Sequence, residues 1–292
     1  MQKGIAFMEL IFLGCGGGRI IVDTQRLATG GFRINSKSLQ MHVDPGPGAL
    51  IYSLKYKQDP AKLDAIFVSH AHLDHSSDAN LMIECMNLLR PNGKKDEFSK
   101  KRGTLLASRA CIRGVPGHEK VVGKYFTDML DGCRPLKAGE KYKFVKKPQK
   151  SGKTPAMEAT LTATKSEHED ETAIGFVLEA DGVKIGYMSD TQPFKGMGRQ
   201  YDGCDYLIAN CMRPDKDKLE YHMALEDLAD AVNAMKKKPK AVFLTHAGLK
   251  MIRAGRDAQR RKFEKLTGVK AVTAQLGLKV RLDGLLGNQK KR

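Results

Sequence analysis

Four apolar segments of this chain lead into a histidine or an aspartate, and this pattern limits the folds that the chain can adopt. Ile-Phe-Val-Ser leads to His70, Ala-Val-Phe-Leu-Thr leads to His246, and Gly-Tyr-Met-Ser leads to Asp190. A fourth segment, Leu-Thr-Ala-Thr, reaches His168 after three more residues. In α/β folds, ligand sites gather at the carboxyl ends of strands. A single histidine in such a place usually has a structural role, but four polar groups delivered in the same way predict one shared site.

The remaining hydrophobic pattern predicts sheets covered by helices. Apolar, β-branched or alternating runs typical of strands occur at Leu10–Cys15, Ser38–Val43, Ala65–Ser69, Thr104–Ala107, Ala159–Thr164, Ala173–Glu179, Val183–Met188, Tyr206–Ala209 and Ala241–Thr245. Helical spacing of apolar residues predicts helices at about 78–90, 117–130, 224–238 and 256–266. Strands mixed with helices favour an α/β or α+β layer fold. We expect the Lys-rich stretch Lys146–Lys153 to be a surface loop.

Length and composition favour a globular cytoplasmic protein. The chain has 292 residues, enough for one large domain or two small ones. No apolar run approaches the roughly 20 residues that span a bilayer, so we expect no membrane partner. Residues Met1–Leu13 lack the apolar core and cleavage site of a secretory signal. The six cysteines form no C-x-x-C pair, which favours reduced, mostly buried thiols in the cytoplasm.

The formal net charge of +17 is concentrated in two stretches of the chain. Residues 90–153 hold 18 Lys and Arg against 6 Asp and Glu, and residues 236–292 hold 17 against 3. The rest of the chain is therefore mildly acidic. Such a distribution can steer a polyanion such as RNA toward the surface; the alternative is a basic surface that contacts only solvent. The chain has no Trp, so stacking on single-stranded bases is not indicated.

The segment His70-Ala-His72-Leu-Asp74-His75 contains three imidazoles and one carboxylate within six residues. Neutral imidazole nitrogen and carboxylate oxygen are ligands that zinc accepts at about 2.0–2.2 Å. An extended turn can aim His70 and His72 to one side, and the chain can then curl to bring Asp74 and His75 into the same cavity. The segment therefore predicts a metal site.

This segment, followed along the chain by His168, Asp190 and His246, resembles the signature of the metallo-β-lactamase superfamily. The resemblance extends from Leu10 to about Met251. It implies a single α+β domain over residues 1–292, a four-layer αβ/βα sandwich of two mixed sheets flanked by helices. The basic stretches are then an insert at about 90–153 and a C-terminal segment at 236–292. The resemblance also implies two metal ions in a shallow groove at one edge of the sheets.

The same resemblance gives each of these side chains a role. It implies two Zn²⁺ ions, with Mn²⁺ or Fe²⁺ as alternatives. The implied ligands are His70, His72 and His168 for the first ion, Asp74, His75 and His246 for the second, and Asp190 as the bridge. Asp44, in Val-Asp-Pro-Gly, is similar to the family's strand-end Asp-x-Gly element, in which the acid braces the metal loop. The glycine-rich turn at Gly14–Gly18 is similar to the opening of family members.

Two further features resemble ribonuclease Z and related phosphodiesterases. Ser189-Asp190-Thr191 is similar to their Ser-Asp-Thr step, and Tyr221-His222 comes just before the helix predicted at 224–238. A histidine in this place helps catalysis in ribonuclease Z, so His222 is expected to donate a proton; the alternative is a capping or surface imidazole. The Gly/Pro-rich arm that grips tRNA has no clear equivalent in this sequence. The basic stretch 90–153 either replaces that arm or is only surface.

These features predict a zinc-dependent phosphodiesterase that acts on RNA or another nucleic acid by attack of a metal-bound hydroxide. Asp74 is expected to orient the attacking water and accept its proton. One alternative is a hydrolase of a small molecule, such as a cyclic phosphodiester, a lactone or a thioester. Another is a binding protein that retains metal without turnover. The resemblance to ribonuclease Z also implies RNA binding through the basic surface and a homodimer.

Overall fold

Two seven-stranded sheets form the framework of the protein in the computed structural model, which describes residues 8–88, 101–146 and 156–282. The strands of the first sheet are β1 (Glu9–Gly14), β2 (Thr29–Asn35), β3 (Gln40–Val43), β4 (Ala65–Val68), β5 (Thr104–Ala107), β6 (Gly132–Pro135) and β14 (Lys279–Arg281). Those of the second sheet are β7 (Lys141–Lys146), β8 (Met157–Lys165), β9 (Ile174–Ala180), β10 (Val183–Met188), β11 (Tyr206–Asn210), β12 (Ala241–Thr245) and β13 (Lys270–Thr273).

Both sheets are mixed, with antiparallel pairs on one side and parallel pairs on the other. The first sheet has the order β14-β1-β2-β3-β4-β5-β6, and its strands are parallel from β3 to β6. The second sheet has the order β13-β12-β11-β10-β9-β8-β7, and its strands are parallel from β10 to β13. Parallel neighbours end at the same edge of a sheet, so the residues that follow them come close together.

Helices cover the outer faces of both sheets. On the first sheet these are α2 (Ala49–Lys55), α4 (Ala79–Leu88), α5 (Arg109–Arg113) and α6 (Lys124–Asp128), and on the second α7 (Leu225–Asn233), α8 (Leu249–Arg253) and α9 (Arg256–Thr267). Two short helices, α1 (Arg19–Thr24) and α3 (Leu73–Ser76), follow turns at the strand ends. The described helices include none that is both long and apolar enough to cross a membrane.

Apolar packing between these layers confirms the predicted four-layer sandwich. The largest apolar cluster lies between the sheets, where Phe67 contacts Phe176 edge-to-face with ring centroids 4.9 Å apart. Two further clusters lie between each sheet and its own helices, for example around Leu228 on α7 and around Met82 on α4. The order of layers is therefore helix, sheet, sheet, helix.

All of the strands predicted from sequence are present, with ends shifted by a few residues. The strands that the sequence pattern missed are short, or contain residues that usually disfavour strands: β2 contains Gly30 and Gly31, and β7 alternates Lys with apolar residues at a sheet edge. Lys146 is the last residue of β7, so its assignment to a loop was wrong, and residues 147–155 lie outside the described residues.

The predicted helices at about 78–90, 224–238 and 256–266 are present as α4, α7 and α9; residues 89 and 90 lie outside the described part. The helix predicted at 117–130 was wrong over most of its length, because only α6 is helical there. The preceding segment is a tight turn between Val115 and His118, and Gly117 in that turn has a φ of +83°. Left-handed backbone of this kind ends helical geometry.

The described part of the basic stretch 90–153 is built into the sheets. Its residues form β5 and β6 of the first sheet and β7 of the second. The basic segment 236–292 likewise contributes β12, β13 and α9 to the second sheet and its helical layer. The described parts of both stretches therefore carry apolar residues inward as well as Lys and Arg outward.

We predict that Phe176→Ala destabilises the fold, because the ring is fully buried and contacts both Phe67 and Tyr187. The expected loss is about 3–5 kcal/mol of unfolding free energy, measured by urea denaturation. Val145→Ala, on the exposed face of β7, is the control and should change stability by less than about 0.5 kcal/mol. Similar midpoints for the two variants would contradict this account of the core.

Candidate metal centre

The predicted site residues converge at one edge of the two sheets. His70 follows β4, His168 follows β8, Asp190 follows β10 and His246 follows β12. The ends of β4 and β12 belong to different sheets, so the site lies where the two sheets face each other. The sequence placed these four groups at strand ends, and the fold brings the strand ends together.

The helix α3 adds the other residues of the motif. His72 caps α3 in an extended conformation, and the first turn then aims Asp74 and His75 back toward His70. The ligand atoms form overlapping groups in which every atom lies within 4.8 Å of the others. These groups are His70, His72 and His168; His70, His75 and Asp190; Asp74, His75 and His246; and His168, Asp190 and His222.

Short distances join the two halves of the site. His168 Nε2 lies 3.2 Å from His72 Nδ1, and His246 Nε2 lies 3.0 Å from His75 Nε2. Asp74 Oδ2 and Asp190 Oδ2 lie 3.1 and 3.2 Å from His246 Nε2. Two sub-sites result, one around His168 and one around His246, with Asp190 between them.

Hydrogen bonds outside the cluster fix which ring nitrogen faces inward. His168 Nδ1 donates to the backbone carbonyl oxygen of Tyr221 at 3.0 Å, and His75 Nδ1 donates to Asp44 Oδ2 at 2.8 Å. His70 Nδ1 donates to Ser69 Oγ at 2.9 Å. Because Nδ1 carries the proton in His168 and His70, Nε2 of each presents its lone pair to the centre of the cluster. That is the arrangement of metal-binding histidines.

Asp44 lies behind the cluster and connects three elements of the fold. Its carboxylate accepts hydrogen bonds from the backbone N–H and hydroxyl of Ser69, from the Tyr187 hydroxyl and from His75 Nδ1, all between 2.6 and 2.8 Å. Ser69 follows β4 of the first sheet, whereas Tyr187 belongs to β10 of the second. Asp44 thus holds Ser69, next to His70, and the ring of His75 in place, and it also joins the two sheets.

Sequence reasoning missed several buried polar residues that support the site. Asn210, at the end of β11, donates from Nδ2 to Asp190 Oδ1 at 2.6 Å and leaves Oδ2 toward the histidines. Asp170 accepts a hydrogen bond from the backbone N–H of Ala71 and so holds the loop between His70 and His72. The only available sequence signal for Asn210 was its position at a strand end.

The glycine-rich turn after β1 comes very close to the cluster. The backbone N–H of Gly18 donates to Asp74 Oδ2 at 2.7 Å. A Cβ atom added to Gly17 would lie within 2.2 Å of ring atoms of His246, so only glycine fits there. The turn therefore positions Asp74 and covers His246, which accounts for its glycines.

Burial and neighbouring charges divide the site into neutral and charged groups. Burial lowers the pKa of His168 to about 4 and holds the pKa of His70 well below its ordinary value. Burial alone would raise the pKa of Asp190, but the imidazoles of His246 and His75 outweigh it and hold that pKa well below its ordinary range. Neutral imidazoles and ionised carboxylates are the forms that bind metal cations.

Two more histidines lie at the rim. His222 Nδ1 donates to the backbone carbonyl oxygen of Glu220 at 3.0 Å, and His222 Nε2 lies 3.2 Å from Asp190 Oδ2. Burial would lower the pKa of His222, but the hydrogen bond and charge of Asp190 raise it. The half-buried ring of His118 lies 5.9 Å from that of His72, a neighbour that the sequence did not indicate.

The residues present fit divalent cations. His70 Nε2 is fully buried and has no hydrogen-bond partner among the described residues, although it points at other ligand atoms. An unpaired buried polar atom is costly, and a cation at the centre of the cluster would satisfy it. The donor set of imidazole nitrogen and carboxylate oxygen is one that suits Zn²⁺, Mn²⁺ and Fe²⁺.

Comparison with known proteins identifies the family. Residues 40–247 match the family model of the beta-lactamase superfamily domain, so the chain belongs to the beta-lactamase superfamily. The chain is also similar to MJ1374 of Methanocaldococcus jannaschii, with 36% identity over 275 residues that cover 94% of this chain and 95% of that protein.

Known structures share the architecture. The metallo-beta-lactamase fold protein YhfI from Bacillus subtilis matches with a TM-score of 0.68 and 17% identity, over 94% of this chain and 99% of that chain. A diphosphatase of the PhnP family matches with a TM-score of 0.62 and 17% identity, over 94% and 97%. Human tRNase Z, short form, matches with a TM-score of 0.60 and 14% identity, over 93% and 98%. The chain therefore has the metallo-β-lactamase fold, which metal-dependent hydrolases share.

We predict that Asp44→Asn weakens metal binding by about 10- to 100-fold, because an amide cannot accept from all four donors that face Asp44. Competition with a chromophoric chelator for Zn²⁺ measures the affinity. Asp128→Asn is the control, since Asp128 is exposed and pairs only with Lys124 among the described residues. Unchanged affinity in the Asp44 variant would show that His75 is oriented by something else.

Proposed function

We propose that the protein is a metal-dependent phosphodiesterase that uses two Zn²⁺ ions and acts on RNA or another nucleic acid. The observation that carries the proposal is the pair of adjoining sub-sites for metal ions. The partly exposed ring of His222 contacts Asp190, which lies between them. The proposed ligands are His70, His72 and His168 for one ion, Asp74, His75 and His246 for the other, and Asp190 between them.

Bound cations would supply Lewis acidity, which lowers the pKa of a water molecule toward neutrality and offsets charge on a phosphate. Asp74 is the residue that would orient the attacking water and accept its proton. Its Oδ2 atom is held by the backbone N–H of Gly18 and lies 3.7 Å from His75 Nε2. The carboxylate is thus fixed beside the histidines, and 10% of its side chain is exposed.

His222 is the residue that would protonate the leaving oxygen. Both of its ring nitrogens face acceptors, the Glu220 carbonyl oxygen on one side and the Asp190 carboxylate on the other. Two acceptors favour the doubly protonated ring, which has a proton to donate. The imidazole is partly exposed, so a substrate can reach it.

Basic residues near the rim support a nucleic-acid substrate. His118 lies beside His72, and two exposed basic residues, Arg113 and Lys120, line the same surface depression with one acidic residue, Glu119. Positive charge at the edge of the site favours binding of phosphates next to the one that is cleaved. The homodimer expected from the ribonuclease Z resemblance belongs to this proposal as well, as does a cytoplasmic location.

Acidic residues on the opposite rim favour a second candidate, a hydrolase of a small phosphodiester. Glu169 Oε2 lies 3.4 Å from His72 Nε2. The negative charges of Glu220, Glu169 and Glu171 also raise the pKa of Tyr221. A long polyanion crossing the site would meet this negative side, whereas a small substrate would not.

A substrate panel separates the two candidates. We expect metal-dependent cleavage of bis-p-nitrophenyl phosphate and of a precursor tRNA, and none of a lactone or a thioester. With RNA, raising the salt from 50 to 200 mM should weaken binding by at least about 10-fold, because phosphate contacts release counterions. Chelator and the Asp74→Ala variant should abolish turnover. Salt-independent activity confined to small diesters would contradict the nucleic-acid proposal and favour the second candidate.

We further predict that His222→Ala lowers kcat by about 10²- to 10⁴-fold on RNA, whose leaving alkoxide needs a proton. The rate with bis-p-nitrophenyl phosphate should fall by much less, because p-nitrophenolate leaves without protonation. Zinc content should not change. Equal losses on both substrates would mean that His222 acts on the metal centre and not on the leaving group.

A further inference from the structure

One tight turn makes two separate contacts with the metal centre. The turn spans Leu219–His222 and is closed by a hydrogen bond from the His222 N–H to the Leu219 carbonyl oxygen at 3.1 Å. Its third residue, Tyr221, accepts the hydrogen bond from His168 Nδ1 with its carbonyl oxygen. Its fourth residue, His222, contacts Asp190. The path of this turn therefore affects both sub-sites.

The backbone of Tyr221 has a left-handed conformation, with a φ of +63°. At the third position of a β-turn this conformation is normal for glycine or asparagine, and it is unfavourable for a bulky side chain. Residues held in such conformations cluster at functional sites, where the surrounding structure imposes them. Asp44 and His246, at the same centre, also have a positive φ.

The structure beyond the turn shows what holds Tyr221 in place. Met223 and Ala224 are buried immediately after the turn, and Ala224 is bridged to Arg213. The Ala224 N–H also donates to Asp227 in the first turn of α7. The residues that follow the turn are therefore fixed in position. A change of φ at Tyr221 to a negative value would then move its carbonyl oxygen away from His168.

We infer that the left-handed backbone of Tyr221 is a positioning device for the metal centre, and that its carbonyl oxygen keeps the Nε2 lone pair of His168 aimed at the cation. The inference rests on the proposed metal centre but not on the proposed substrate. Tyr221 is a positioning residue that acts through His168. Its phenol ring, 6.0 Å from the His168 ring, is not needed for this role.

Three substitutions in the full-length protein separate the backbone from the ring. Tyr221→Gly and Tyr221→Asn remove the ring but allow a positive φ, whereas Tyr221→Val strongly disfavours it. Zn²⁺ affinity is measured by competition with a chromophoric chelator, and folding by thermal melting. We expect the Gly and Asn variants to stay within about threefold of wild type. The Val variant should lose about 10- to 100-fold in affinity, the range found for supports of metal-binding histidines.

Lys57 provides a matched control for backbone strain alone. It is exposed, has a φ of +57°, and follows α2. Lys57→Val should lower the melting temperature relative to Lys57→Asn, with no change in Zn²⁺ affinity. A Zn²⁺ affinity that falls equally with Val at residue 57 and at residue 221 would overturn the inference, because general strain would then explain both.

The remaining outcomes are also decisive. A loss of Zn²⁺ affinity in Tyr221→Gly and Tyr221→Asn would mean that the phenol ring supports the site. That result would overturn the inference even if Tyr221→Val fails to fold. Wild-type affinity in a folded Val variant would show that the conformation of Tyr221 does not matter. If the wild-type protein does not bind Zn²⁺, the proposed metal centre and this inference are both wrong. If it binds Zn²⁺ but cleaves no substrate, only the proposed reaction is wrong.

Discussion

The buried carboxylate of Asp44 is the interaction on which the arrangement of the two sheets around the site depends. It follows β3 in the first sheet and accepts hydrogen bonds from Ser69, after β4, and from Tyr187, on β10 of the second sheet. The same oxygen that binds Tyr187 also binds His75 Nδ1. A buried carboxylate must be fully hydrogen-bonded to be tolerated, so the position of one side chain constrains both sheets and one ligand.

The charge distribution of the centre explains why a cation suits it. Asp44, Asp74 and Asp190 are largely buried carboxylates within one cluster. Asp74 and Asp190 each lie beside several imidazoles, whereas Asp44 contacts, among the described residues, only that of His75. Several imidazoles of the cluster are neutral because burial disfavours their charged form. Divalent cations would compensate the carboxylates while they use the free imidazole lone pairs. Folding and metal binding are coupled in centres of this kind.

Three of the seven non-glycine residues with a positive φ in the described part of the chain lie at this site. Asp44, Tyr221 and His246 have a positive φ, and each contacts another site residue. Gly17 and Gly18 allow the first turn to approach His246 and Asp74. The fold thus imposes unfavourable local conformations where they aim polar groups at one point, and the apolar packing between the layers offsets their cost.

The sequence by itself indicated a layered fold of sheets and helices, and it indicated which polar residues share one site. The apolar strands that end in His70, Asp190 and His246, together with the compact motif after β4, pointed to that site because strand periodicity and the chemistry of side chains are local properties. Only the tertiary structure decided which groups hold these side chains in place. Asn210 hydrogen-bonds Asp190, Asp170 hydrogen-bonds the loop between His70 and His72, and the Tyr221 carbonyl oxygen accepts from His168. These contacts join residues far apart in the chain, and a backbone carbonyl has no sequence signature. Edge strands such as β7 also escaped prediction, because their pairing partners and not their own residues make them strands.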